Sequence, residues 1–131
     1  MAWSVTTLSD SSERIVLSCV ESSGFSRDAD AIDVSSYTDG DAGDILHIEY
    51  VEWSLPPLIS GTASGLLTID YDATSAQKVL ELSGSGSIGV NTPGVIAKPL
   101  NTSAGGFSGD IGLHATGACT LIICLRKVTG F

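Results

Sequence analysis

The feature that most narrows the choice of fold is a repeat of two. In one segment Ile15, Leu17 and Cys19 alternate with Val16, Ser18 and Val20, and in another Leu67, Ile69 and Tyr71 alternate with Thr68, Asp70 and Asp72. Side chains two apart share a face of a β-strand, whereas a helix requires a repeat at three and four. The first segment offers apolar residues to both faces, and the second leaves one face to water. A third stretch, "LHIEYVEWSLPP", changes parity: Leu46, Ile48 and Tyr50 share a face, but Val51, Trp53 and Leu55 lie on the other. Both sets reach a core only through a bulge or a crossing between sheets near Tyr50 and Val51. Pro56-Pro57 then ends the ladder, because neither proline can donate a hydrogen bond.

Further strands are expected near Trp3 to Thr7, Ala31 to Ser35, Val79 to Ser83, Ile111 to Ala115 and Cys119 to Lys127. "DATSAQKVLEL" is the one helical contender, but its end alternates, and it reads as a turn followed by a strand. Charged residues make up 16% of the chain while Gly, Ser and Thr are abundant, which favours strands and tight turns. The 131 residues, 43% of them hydrophobic, suffice for one core. The expected fold is all-β: a single antiparallel, jelly-roll-like β-sandwich over residues 1–131, with about seven or eight strands. "SSGFSRDADA", "SYTDGDAGD" and "VNTPGVIAKPLNTSAGGFSGD" read as long surface loops rich in glycine and serine.

A formal net charge of −9 repels nucleic acid phosphates and anionic membranes, so neither is an expected partner. The first residues lack a basic region followed by an apolar one, and the apolar runs are too short to span a bilayer as helices, so synthesis in the cytoplasm is expected. Cys19, Cys119 and Cys124 lack metal-ligand spacing and lie in apolar stretches, where they read as core residues.

Each motif with catalytic or binding overtones has a plainer explanation. "GSGSIG", Gly84 to Gly89, spells G-x-G-x-x-G, but the prolines that follow prevent the helix a dinucleotide site needs, leaving a bulged turn. Six aspartates fall between Asp28 and Asp44. Asp39, Asp41 and Asp44 are weak calcium candidates, although the spacing is not that of an EF-hand and solvated loops explain them as well. Glu49, Glu52, Asp70 and Asp72 could supply a glycosidase acid and base, but the two aspartates fit a solvent-facing row. His47 and His114 could join a serine triad, yet no G-x-S-x-G elbow is present. No cofactor, resident metal or catalytic residue is assigned.

"WSVTTLSDSSERIVLSCV", "LHIEYVEWSL", "GLLTIDYDATSAQKVLELSGSGSIG", "NTSAGGFSGDIGLHATG" and "TLIICLRKV" together resemble the small virion proteins of tailed bacteriophages. The likeness is one of layout and covers nearly the whole chain. It implies a β-rich, non-enzymatic structural protein that assembles in the host cytoplasm and resides in the virion. The implied role is capsid decoration or cement on the major-capsid-protein shell, with a head-tail connector, neck or tail protein as the alternative. It further implies a homo-oligomer, a trimer, with Trp3, Phe107 and Phe131 as candidate contact residues; Trp3 fits a core position equally well. A second class of function is a calcium-dependent carbohydrate- or host-surface-binding sandwich in which Trp53 or Tyr71 stacks on a sugar. A small hydrolase ranks last.

Overall fold

The computed structural model describes residues 3–21, 26–37, 45–55, 65–89 and 94–128. These residues form β1 (Trp3–Asp10), β2 (Arg14–Glu21), β3 (Ser26–Ile32), β4 (Ile45–Ser54), β5 (Leu67–Tyr71), β6 (Gln77–Leu82), β7 (Ser85–Ile88), β8 (Ile111–Ala115) and β9 (Cys119–Val128), with a 3-10 turn at Val34–Ser36. No α-helix occurs among the described residues. The strands build two antiparallel sheets, ordered β1-β2-β9-β4-β7 and β3-β8-β5-β6.

One operation generates this order. β2 pairs with β9, β3 with β8, β4 with β7 and β5 with β6, as in a single long hairpin whose tip lies between β5 and β6. Rolling that hairpin brings β4 against β9 and β5 against β8, which closes a two-sheet jelly roll. β1 adds a further strand outside β2.

The period of two decides what lies inside. Ile15, Leu17 and Cys19 of β2 and Leu121, Ile123 and Leu125 of β9 are buried, as are Leu67, Ile69 and Tyr71 of β5 and Ile111 and Leu113 of β8. Burying an aliphatic side chain of this size contributes roughly 1.5–3 kcal/mol. The Tyr71 hydroxyl donates to the Leu46 carbonyl, joining β5 to β4 across the core. Burial pushes that phenol far above the ordinary tyrosine range. Trp3 takes its core alternative, with 3% of its surface exposed.

The parity change in β4 is resolved by a bulge alone. Register shifts between Ile48 and Tyr50, so that Glu49 is the extra residue and both Ile48 and Val51 point inward opposite Leu125 and Ile123. The strand stays in one sheet, because one added residue restores the alternation without a crossing.

Three other expectations are corrected. "GSGSIG" is not only a turn: Ser85–Ile88 forms β7, bracketed by Gly84 and Gly89 at positive φ. Its four residues are all exposed and mostly Gly or Ser, so no hydrophobic alternation marked it. β3 begins earlier than expected, and Asp33 ends it by capping the 3-10 turn, its Oδ1 accepting from Ser35 N at 2.9 Å. Asp70, expected in water, is buried opposite Gly112.

The long segment before β8 straps the open side of the roll. Ile48 N donates to the Ala97 carbonyl at 2.9 Å, and Ile96 N donates to the Ile48 carbonyl at 2.7 Å. Further along, the buried Gln77 side chain on β6 accepts from Leu100 N at 2.8 Å and Asn101 N at 3.0 Å, and donates to the Asn101 carbonyl at 2.6 Å. One end of the strap is thus fixed to the five-stranded sheet and the other to the four-stranded sheet.

Candidate interaction face

The outer face of the five-stranded sheet can be read from its register. One row runs Ser4, Val20, Thr120, Ser54, Ser85 across the five strands, and the next runs Thr6, Ser18, Ile122, Glu52, Ser87. A third places Ser9, Val16, Cys124 and Tyr50 side by side. Glu52 is the sole charged residue in these three rows, although the chain carries fifteen acidic and six basic residues. Val16, Ile122, Cys124 and Tyr50 are half-buried and Val20 is exposed, so the field mixes β-branched carbon with hydroxyls.

A shallow hollow of about 430 Å³ lies over β7, β4 and β9, lined by Glu52, Ser54, Ser85, Ser87, Thr120 and Ile122. The small side chains of β7 create it. Trp53, Gly86 and Leu121 complete the lining; Trp53 is half-buried, with Leu121 as its register partner, and its indole N–H donates to the Ser83 carbonyl at 2.9 Å. The ring lies against Gly86, where a Cβ would stand 3.1 Å from it.

Beyond these three rows the face becomes charged. Arg14 reaches Glu49, Nε to Oε1, at 2.7 Å, bridging over β9. Arg126 pairs with His47, whose pKa is lowered by burial first and then by Lys98 and Arg126. Burial, followed by the Glu49 charge, pushes the Cys124 thiol up. The cations Arg14 and Arg126 therefore accompany the acids Glu13 and Glu49, and charge returns at this end of the face.

The residues that suggested catalysis are kept apart. His47 is on the outer face of the five-stranded sheet, while His114, between buried Leu113 and Ala115, points outward from the other sheet. The histidines therefore stand on opposite sides of the sandwich. Glu49 and Glu52 are separated from Asp70 and Asp72 in the same way, and no carboxylate pair with glycosidase spacing forms between the two sets.

An acidic cluster at one end of the four-stranded sheet serves the backbone. Asp110 Oδ1 accepts from Val34 N at 2.9 Å, and Asp72 Oδ2 accepts from Ser108 Oγ at 3.1 Å. Burial, then repulsion from Asp33, Asp30 and Asp72, raises the Asp110 pKa. Among the described residues no group of three His, Cys, Asp or Glu could hold a metal ion. The calcium candidates Asp39, Asp41 and Asp44 lie outside the described residues, as does Phe131.

Of the expected contact residues, Trp3 is in the core, and Phe107 is half-buried with its ring centroid 6.5 Å from that of Tyr71. Tyr71 is wholly buried and offers no stacking platform for a sugar, whereas half-buried Trp53 lines the hollow over β7. Sequence reasoning did not find the outer face, because its signal is a lack of charge spread over five strands distant in sequence. Comparison with known proteins finds no matching family model, curated protein or solved structure.

Proposed function

We propose that this chain is a non-catalytic structural protein of a tailed-bacteriophage virion, decorating the capsid shell as cement and docking on the major capsid protein through the outer face of its five-stranded sheet. The observation that carries the docking assignment is the charge pattern: a chain of net charge −9 leaves three adjacent rows of one sheet face with a single charged residue, Glu52. Interface cores are depleted of charged residues, and an ionised side chain must lose water when it is covered. The virion assignment itself comes from the resemblance in sequence layout.

The size is sufficient. Five strands about 4.8 Å apart, each of about eight residues rising about 3.3 Å, present a face of roughly 600 Å², with the three rows at its centre and the Arg14 and Arg126 end as its charged rim. Covered on both partners, that is roughly 1,200 Å², above the roughly 1,000 Å² of a specific interface. The acidity of the other surfaces keeps copies apart in solution, and many modest contacts on a shell then add through multivalency.

The test is co-sedimentation of the purified protein with empty capsids that lack it. Saturable binding with a fixed copy number supports decoration. Retention by tail or connector complexes alone replaces it with the neck assignment, and binding to no part of the particle overturns the virion reading.

A further inference from the structure

A second surface lies on the strapped side, away from the outer sheet face. Among the described residues β6 is the terminal strand of the four-stranded sheet and pairs only with β5. Residues 95–100 run beside it, leaving a cleft of about 390 Å³ lined by Val79, Val95, Ile96 and Leu100 and flanked by Lys78 and Lys98. Leu100 is 71% exposed and Val95 40%, two of the few large apolar side chains left in water. The cleft is preformed, because the Ile48 bridge and the three Gln77 hydrogen bonds fix its strap at both ends.

Charge then selects what the cleft can hold. Two of the six cations in the chain flank this one apolar recess. Lys98 has no ion pair among the described residues, and Lys78 lies 3.5 Å from exposed Glu81, a contact worth little in water, with largely buried Asp70 as its cross-strand neighbour. A lysine and a bulge on an edge strand ordinarily guard against indiscriminate strand addition. The register shifts between Ile69–Leu80 and Asp70–Lys78, leaving Val79 as a bulge; guarding accounts for it and for Lys78, but not for the aliphatic wall of Val95, Ile96 and Leu100 or for Lys98 across the cleft.

We propose that this cleft docks an extended segment of a partner protein in which aliphatic and acidic residues alternate: the aliphatic residues fill the recess, and the carboxylates meet Lys78 and Lys98. A second copy of this chain is a poorer occupant, since each copy carries a net charge of −9 and two copies repel. The proposal stands independently of the virion reading.

The test uses a short fluorescein-labelled peptide of alternating Glu and Val, with its Lys and Val counterpart as control. Fluorescence anisotropy measures affinity, and methyl NMR maps the site. The expected result is binding of the acidic peptide alone, with shifts at Val79, Val95 and Leu100. Lys78→Glu with Lys98→Glu then weakens it about tenfold, as two exposed attractions become repulsions, and Leu100→Asp weakens it independently. Equal binding of both peptides, unchanged affinity in the charge-reversed variant, or shifts elsewhere would overturn the proposal. Concentration-dependent shifts at these methyls without peptide would also overturn it, by making a second copy the occupant.

Discussion

Replacing Gln77 by Ala removes the one side chain that ties the strap to β6. Its amide makes three hydrogen bonds, two accepted from the backbone N–H groups of Leu100 and Asn101 and one donated to the Asn101 carbonyl. Leaving such groups unpaired costs about 1–3 kcal/mol each when fully buried; the strap is partly exposed, so about 1 kcal/mol each, or roughly 3 kcal/mol in all, is expected. With an unfolding entropy of about 2.1 cal/mol/K per residue, the 131-residue chain should lose about 10 °C in Tm. Gln77→Glu keeps both acceptor bonds but sets a carboxylate against the Asn101 carbonyl, so its loss should be intermediate. Calorimetry gives the shift, and hydrogen exchange should show faster exchange at the Leu100 and Asn101 amides in Gln77→Ala. A drop below about 3 °C with unchanged exchange would refute the pinning role.

Gly89→Ala should destabilise the fold, because Gly89 sits at φ +100 and a Cβ there would lie 2.3 Å from the Glu49 carbonyl oxygen; the backbone conformation alone costs roughly 1–2 kcal/mol, measured by urea denaturation. The lowered His47 pKa means that the unfolded chain takes up the proton first as pH falls. The stability that depends on a neutral imidazole is thus intact above about pH 6.5 and lost as pH drops towards the folded value, a slope that His47→Gln should remove from the denaturation midpoint. Burial raises the Cys19 thiol to about 12 and the Cys119 thiol to about 11, so both should resist a thiol reagent until the protein unfolds, whereas half-buried Cys124 should react first.

What could be read from the sequence was whatever a local period expresses. Ile111–Ala115 and the alternations of β2, β5 and β9 announce themselves because one face is buried against the other sheet. β7 was missed because an edge strand of Ser and Gly buries no side chain of its own; its position is set by pairing with Val51 to Ser54. The bulge at Glu49 was expected from the parity change, but the sequence left open a crossing between sheets that the register excludes. The uncharged face is harder still, since Ser4, Val20, Thr120, Ser54 and Ser85 become neighbours only after the hairpin rolls up. Trp53 invited a binding role; its register and its bond to Ser83 pack it partly against the core, while it also lines the hollow over β7.

The docking claim is tested most directly by the binding isotherm of Val20→Glu with Ser18→Glu on capsids lacking the protein, beside parent chain and an opposite-sheet control, Glu81→Lys. Val20 is exposed and Ser18 half-buried on the outer side of β2, and circular dichroism of the double variant checks that the fold persists. The account predicts that the double variant loses binding by at least about tenfold, since two carboxylates must then be desolvated, while the control binds like the parent. Parent-like binding of the folded double variant would contradict the assignment of this face.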